Sequence, residues 1–169
     1  MVASRQERFE ALLHEHRNVV YKICGSYCRD RDDRDDLAQE IAVQLWRSFA
    51  TFDGRSTFAT WMYRVALNVA ISFQRREIRR RRDLGFGDEC LLQVPEPARD
   101  EPEDIRCLYE FIEGLPALDK ALTLLYLDEH RYREISEIVG ITETNVATKL
   151  GRLKQRMKAH FAARGAATQ

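Results

Sequence analysis

The side chains that could do chemistry fall in three places. Asp30-Arg31-Asp32-Asp33-Arg34-Asp35-Asp36 puts five aspartates in seven residues, a composition that could ligate a divalent cation. EF-hand spacing and its turn glycine are absent, however, and two arginines are interleaved. The run therefore reads as a solvated loop supplying an aspartate N-cap to the helix after it, and no metal site is expected. Cys24 and Cys28 stand one helical turn apart, half of a metal site with no histidine or cysteine pair to complete it. With Cys90 and Cys107 they read as free thiols. The third place is the C-terminal stretch, which carries no acid from Thr144 onward. There Asn145, Lys149, Arg152 and Arg156 recur at helical spacing, with Thr144 and Thr148 beside them. Cations and short hydrogen-bonding groups on one helix face suit the major groove of DNA.

That face needs a scaffold, and the sequence writes one. Ile135, Ile138 and Val139 form the apolar side of a short helix that stops at Gly140, where a tight turn needs left-handed backbone. Thr142 is the expected N-cap of the next helix, with Glu143 at its positive end. Val146, Leu150, Leu153 and Met157 give that helix an apolar stripe. The whole is a helix, a glycine turn and a helix. A helix over 105–112 precedes it, and a second begins at Leu115-Pro116, with Pro116 in its first turn. Ala117, Leu118, Ala121, Leu122, Leu125 and Tyr126 of that second helix would pack beneath the pair.

Upstream, Phe9, Leu12, Leu13, His16, Val19, Val20, Ile23 and Tyr27 recur at three and four, predicting one helix over about 4–29. A helix over 37–49 would bury Leu37, Ile41, Leu45 and Phe49 and expose Asp36, Gln39, Glu40, Gln44 and Arg47. After a turn-rich loop, a helix starting near Ser56 or Thr57 carries Phe58, Trp61, Met62, Val65, Ala66, Val69 and Phe73 inward. Tyr63, Arg64, Asn68, Ser72, Arg75 and Arg76 are then expected on its outer faces. Aromatic, amide and arginine groups together can stack on and hydrogen-bond to unpaired bases. Arg79 to Arg82 add a cluster suited to phosphates.

Composition limits the remaining choices. The chain has 169 residues, 32% of them charged, and no net charge, so nucleic-acid affinity must come from local segregation of charge. Eight arginines face one acid between Gly54 and Arg82, while eight acids face Arg99 between Asp83 and Asp104. Three of the four prolines lie in the acidic stretch, which reads as a linker. The expected architecture is all-α: two small helical domains over 1–82 and 105–169, joined by an acidic, Pro-containing linker over 83–104. No membrane-spanning run and no signal peptide are evident, so a cytoplasmic protein is expected.

Two separated segments carry a resemblance. Asp36-Leu37-Ala38-Gln39-Glu40 through Trp46-Arg47, followed by Phe52-Asp53-Gly54-Arg55-Ser56-Thr57-Phe58-Ala59-Thr60-Trp61-Met62-Tyr63-Arg64-Val65-Ala66-Leu67-Asn68, resembles region 2 of extracytoplasmic-function (ECF) sigma factors. Leu115-Pro116 through Tyr132-Arg133-Glu134-Ile135-Ser136 to Arg156 resembles region 4 of the same family. The resemblance implies that Asp36, Gln39, Glu40 and Gln44 dock on the β′ clamp helices of core RNA polymerase. Asp53, Gly54, Arg55, Ser56 and Thr57, with Asn68 and Ser72, would hold a base flipped from the minus-ten element. Trp61, Tyr63 and Arg64 would lie near strand opening, with Arg75 and Arg76 on DNA beside them. Thr144, Asn145, Thr148, Lys149, Arg152 and Arg156 would read the minus-thirty-five element.

The resemblance further implies promoter DNA as a ligand, an anti-sigma factor as a second protein partner, no cofactor, no small-molecule substrate and no enzymatic activity. Two departures are visible. Ser72 stands where many members carry aspartate or asparagine, and Ala147-Thr148-Lys149-Leu150-Gly151-Arg152 replaces the commoner lysine-serine-arginine pattern. No further domain is expected after Arg164. The rival readings are a conventional helix-turn-helix regulator acting on duplex DNA without polymerase, and a metal-dependent nuclease built on the aspartate run.

Overall fold

The computed structural model describes residues 4–85 and 102–167. Most of the expected linker (86–101) and Cys90 lie outside the described residues. Within them the chain forms eight α-helices, one 3-10 turn and no strand. The helices are α1 (Arg5–Glu15), α2 (Arg17–Tyr27), α3 (Arg31–Ser48), α4 (Phe58–Asp83), α5 (Glu103–Glu113), α6 (Ala117–Leu127), α7 (Tyr132–Val139) and α8 (Glu143–Ala167). The all-α expectation holds. The chain divides into two compact units between Phe73 and Gln74, a point inside α4.

The first unit is built on α2 against α3. Leu37, Ile41 and Leu45 point inward at four-residue steps with no exposed surface, each contributing about 1.5–3 kcal/mol by burial. Val20, Ile23, Met62, Ala66 and Leu67 are buried as well. Around the 3-10 turn Phe49–Thr51 lies an aromatic cluster: Phe49 is 5.2 Å from Phe9, and Phe52 is 5.2 Å from Trp61 and 5.7 Å from Phe58. Rings at these separations pack edge and face favourably, and they brace the loop that follows Phe52.

Several local expectations are corrected. The helix expected over 4–29 is two, α1 and α2, broken at His16 (φ −104°, ψ 13°). Both halves present apolar residues to the core, so the spacing of Phe9 through Tyr27 does not register the break. The aspartate run is not a loop. Only Asp30 is outside the helix, accepting from the Asp32 N–H at 3.2 Å, and α3 begins at Arg31. Aspartates belong in a first turn because they face the positive end of the helix dipole. The helix expected over 37–49 therefore starts six residues earlier and ends at Ser48, before the 3-10 turn.

In the second unit α6 is central. Lys120 to Leu125 are all buried, with α7 and α8 packed on α6, and α8 also against α5. Cys107, Phe111 and Ile112 of α5 and Val146, Leu150 and Leu153 of α8 complete the core. Pro116 is the N-cap residue of α6, just outside the helix, and not part of its first turn. An extended Pro116 (φ −57°, ψ 155°) fits its fixed φ and leaves Ala117 to open the helix.

Candidate nucleic-acid interface

The turn between α7 and α8 forms as its residues dictate. Gly140 adopts φ 78° and donates its N–H to the Ser136 carbonyl at 2.9 Å, closing α7. Two residues on, the Thr142 hydroxyl oxygen accepts from the Asn145 N–H at 3.2 Å and caps α8. At the other end of α7, the Glu134 carboxylate reaches back to the Arg131 N–H at 3.0 Å. Lys154 ties α8 to its neighbours. Its ammonium donates to the Tyr132 hydroxyl at 2.9 Å and lies 4.4 Å from the Tyr126 ring centroid. The bond to Tyr132 comes first among the causes that hold its pKa above the usual lysine range.

With Val146, Leu150 and Leu153 buried, the opposite side of α8 faces outward. Thr144, Asn145, Thr148, Arg152 and Arg156 are exposed, and Lys149 is half-buried. The Thr148 hydroxyl donates to the Thr144 carbonyl at 3.0 Å, so its only proton is committed to the helix and the group can still accept. Lys149 and Arg156 are turned toward α6, where Asp119 lies 4.0 Å from Lys149 Nζ and 3.9 Å from Arg156 Nη1. Nothing local in the sequence marks Asp119. Its position as the third residue of an amphipathic helix gave no sign of which partners it would meet.

In the first unit, the loop over 53–57 is ordered by its own side chains. Gly54 takes φ 74°, and Asp53 accepts from the Arg55 N–H at 3.1 Å while its other oxygen meets Arg55 Nε at 3.0 Å. Thr57 accepts from the Thr60 N–H at 3.2 Å and starts α4, as expected. Asp53, Gly54, Arg55 and Thr57 are exposed and Ser56 is half-buried. Along α4, Arg64, Asn68 and Ser72 are exposed at steps of four, one line on the helix, and Arg75 and Arg76 are exposed farther along it. Trp61 is half-buried against Phe52 and Phe58. Tyr63 is a correction: expected outward, it is 3% exposed and belongs to the core. Its place around the helix, between Ala66 and Leu67, both buried, lies within the arc that packs inward, so its phenol ring is not presented to a ligand.

On α3, Asp36, Gln39 and Gln44 are exposed and Glu40 is half-buried. Gln44 is steadied by a bond to Ser48 at 3.2 Å. The same face exposes Val43 (48%) and Trp46 (39%). Val43 is thus an apolar side chain set among polar ones on an exposed helix face. The Arg5 guanidinium lies 4.9 Å from the Trp46 ring. Among the described residues no group of His, Cys, Asp and Glu stands close enough to hold a metal ion, and no helix is long and apolar enough to cross a membrane.

Comparison with known proteins adds the following. Residues 12–81 match the model for Sigma-70 region 2, and residues 105–157 match that for Sigma-70, region 4. The ECF RNA polymerase sigma factor SigM of Bacillus subtilis (strain 168) is 30% identical over 157 residues, covering 90% of this chain and 94% of the relative. The ECF RNA polymerase sigma-E factor of Escherichia coli (strain K12) is 26% identical over 162 residues, covering 89% of this chain and 84% of the relative. In fold, the chain is similar to the sigma factor RpoE in complex with the anti-sigma factor NepR from Bartonella quintana. That match has TM-score 0.71 and 17% identity, and covers 92% of this chain and 97% of the other. It is also similar to CnrH in complex with the cytosolic domain of CnrY, with TM-score 0.59 and 20% identity over 94% of this chain and 90% of the other.

Proposed function

The chain belongs to the ECF family of RNA polymerase sigma factors, and from that premise we propose how its parts divide the work of starting transcription. It binds core RNA polymerase and directs it to promoters. The reading rests above all on one observation: matches to region 2 and region 4 occur in that order on one chain. In the proposed division, a region 2 domain extends to residue 82, a linker runs over 83–104, and a region 4 domain begins at 105. Asp36, Gln39, Glu40 and Gln44 dock on polymerase, with Val43 supplying apolar contact among them. Loop 53–57 with Asn68 and Ser72 holds a flipped base of the minus-ten element. Arg64, Arg75 and Arg76 follow the nearby backbone, and the exposed part of Trp61 borders the opened strand.

The outward face of α8 enters the major groove of the minus-thirty-five element. Thr144, Asn145, Thr148 and Arg152 face base edges, with Lys149 and Arg156 at its flank. Arginine suits this task because its planar fork bonds guanine bidentately. The protein acts in the cytoplasm beside polymerase, performs no catalysis of its own, and is held inactive by an anti-sigma partner until needed. Run-off transcription tests the core of this reading: core RNA polymerase on a pool of promoter fragments, with and without the protein. Start sites appearing only on its addition are expected. Absence of stimulation, with retained binding to duplex DNA, would overturn it.

A further inference from the structure

Two of the cations at the α8 face do not project freely from it. Lys149 and Arg156 stand seven residues apart, two turns along one side of α8, and both approach the same carboxylate. Asp119 lies in the first turn of α6, with its side chain only 20% exposed, 4.0 Å from Lys149 Nζ and 3.9 Å from Arg156 Nη1. The residue's backbone is held in the first turn of α6. Its carbonyl accepts from the Thr123 hydroxyl at 2.8 Å, and a first-turn acid is favoured by the α6 dipole. On α8 itself, Leu150 and Leu153 beside these cations are buried. Lys149 and Arg156 therefore leave the helix at the margin of its packed side, where a largely buried anion waits on the neighbouring helix.

We propose that Asp119 is a positioning residue that sets the specificity of promoter recognition. This inference rests on the reading of α8 as the minus-thirty-five helix. Held against α6, Lys149 and Arg156 sit at the flank of the recognition face, oriented for phosphates on one side of the groove. Their charge is partly offset by Asp119, so a non-cognate duplex attracts them weakly. The cognate site gains because arginine and lysine arrive already oriented, with less side-chain freedom left to lose on binding. Base reading is left to Arg152, Asn145 and the two threonines. A fully unpaired basic face would bind any duplex through phosphate neutralisation; the carboxylate restrains that tendency.

The test uses full-length protein in complex with core polymerase. The probes are a promoter fragment recovered by run-off transcription and the same fragment with its upstream element scrambled, each titrated with salt. Asp119→Asn keeps the side chain's shape and the Thr123 bond, which uses the backbone. It is expected to raise affinity for the scrambled fragment roughly five- to tenfold, the scale of two surface ion pairs. It should also steepen the salt dependence by about one unit of slope. Cognate affinity rises less, so the ratio between fragments falls. Asp119→Glu, which keeps the charge, restores the ratio most of the way to wild type. A parallel loss of affinity for both fragments, or an unchanged ratio and slope, would overturn the proposal by reducing Asp119 to a packing role. If wild-type complex failed to distinguish the fragments, the promoter reading of α8 would fall, and this inference with it.

Discussion

Gly151 offers a test in which stability and binding should move in opposite directions. It lies in the interior of α8, and a Cβ built there meets nothing within 4 Å. Its φ is not positive, so alanine fits the backbone without strain. A glycine in an exposed helix interior costs about 0.8–1 kcal/mol relative to alanine. Gly151→Ala should therefore raise the thermal midpoint by about 2–4 °C for a chain of this size. Yet Thr144, Thr148, Gly151 and Gln155, at steps of four, three and four, run along the side of α8 opposite Val146, Leu150 and Leu153. In a groove-bound helix that line comes nearest the base edges. An added methyl there meets DNA where it meets nothing in the free protein, at a cost of about 1–3 kcal/mol by overpacking.

The assays are thermal unfolding of the free protein, and competition of the polymerase complex for a promoter fragment against one with a scrambled upstream element. Gly25 supplies the control: it lies inside α2, and a Cβ there also meets nothing within 4 Å. Gly25→Ala should gain stability on the same scale and leave element recognition untouched. A more stable Gly151→Ala protein with undiminished recognition would refute the orientation assigned to α8. A less stable one would refute the account of the helix interior.

Four further outcomes are expected. Asn68→Ala should slow open-complex formation, read by permanganate reactivity of unpaired thymines, while binding to core polymerase stays near wild type. Arg152→Ala should cost about 1–3 kcal/mol on the cognate upstream element if it meets a base, measured by competition against single-base variants. Burial pushes the Cys24 thiol up to about 11, well above its ordinary value near 9. A pKa raised in the folded state means that the unfolded chain loses its proton first. Stability should therefore be full below about pH 9 and fall between about 9 and 11, with Cys24→Ser flattening that decline in denaturant titrations. Glu129 holds φ 61° in the turn after α6; Glu129→Gly should relieve that backbone and stabilise by about 0.5–1 kcal/mol in thermal unfolding.

The helix-turn-helix was legible almost residue by residue, because each of its signals is local. Gly140, Thr142 and the Val146, Leu150, Leu153 stripe act within one or two turns of themselves, and the structure repeats them. What the sequence hid depends on partners distant along the chain. Lys149 and Arg156 read as open cations because nothing nearby in sequence opposes them; Asp119 belongs to an earlier helix and meets them only through packing of α6 on α8. Tyr63 read as an outward aromatic because its neighbours Arg64 and Asn68 are exposed, but α4 buries an arc wide enough to include it. The break at His16 was invisible for a related reason: hydrophobic spacing records which side faces the core and not whether the helix is continuous.

The distribution of charge explains why such a chain should work through polymerase and not alone. Its net charge is zero, and in the second unit several cations are already engaged. Asp119 faces Lys149 and Arg156, Glu110 bonds Arg164, and Tyr132 holds Lys154. The two carboxylates remove attraction that a phosphate backbone would otherwise collect, while Lys154 on a neutral phenol keeps its charge, so the free region 4 domain should bind duplex DNA weakly and with a shallow salt dependence. The same holds in the loop over 53–57, where Arg55 is turned onto Asp53. Weakness at each site is compatible with tight promoter binding if one body carries both. With polymerase holding the chain, the second contact becomes intramolecular, at an effective concentration of about millimolar for short flexible connections. Two modest contacts then multiply into a specific one, and neither traps the free protein on bulk DNA. Unpairing the cations would strengthen each contact and erode that discrimination.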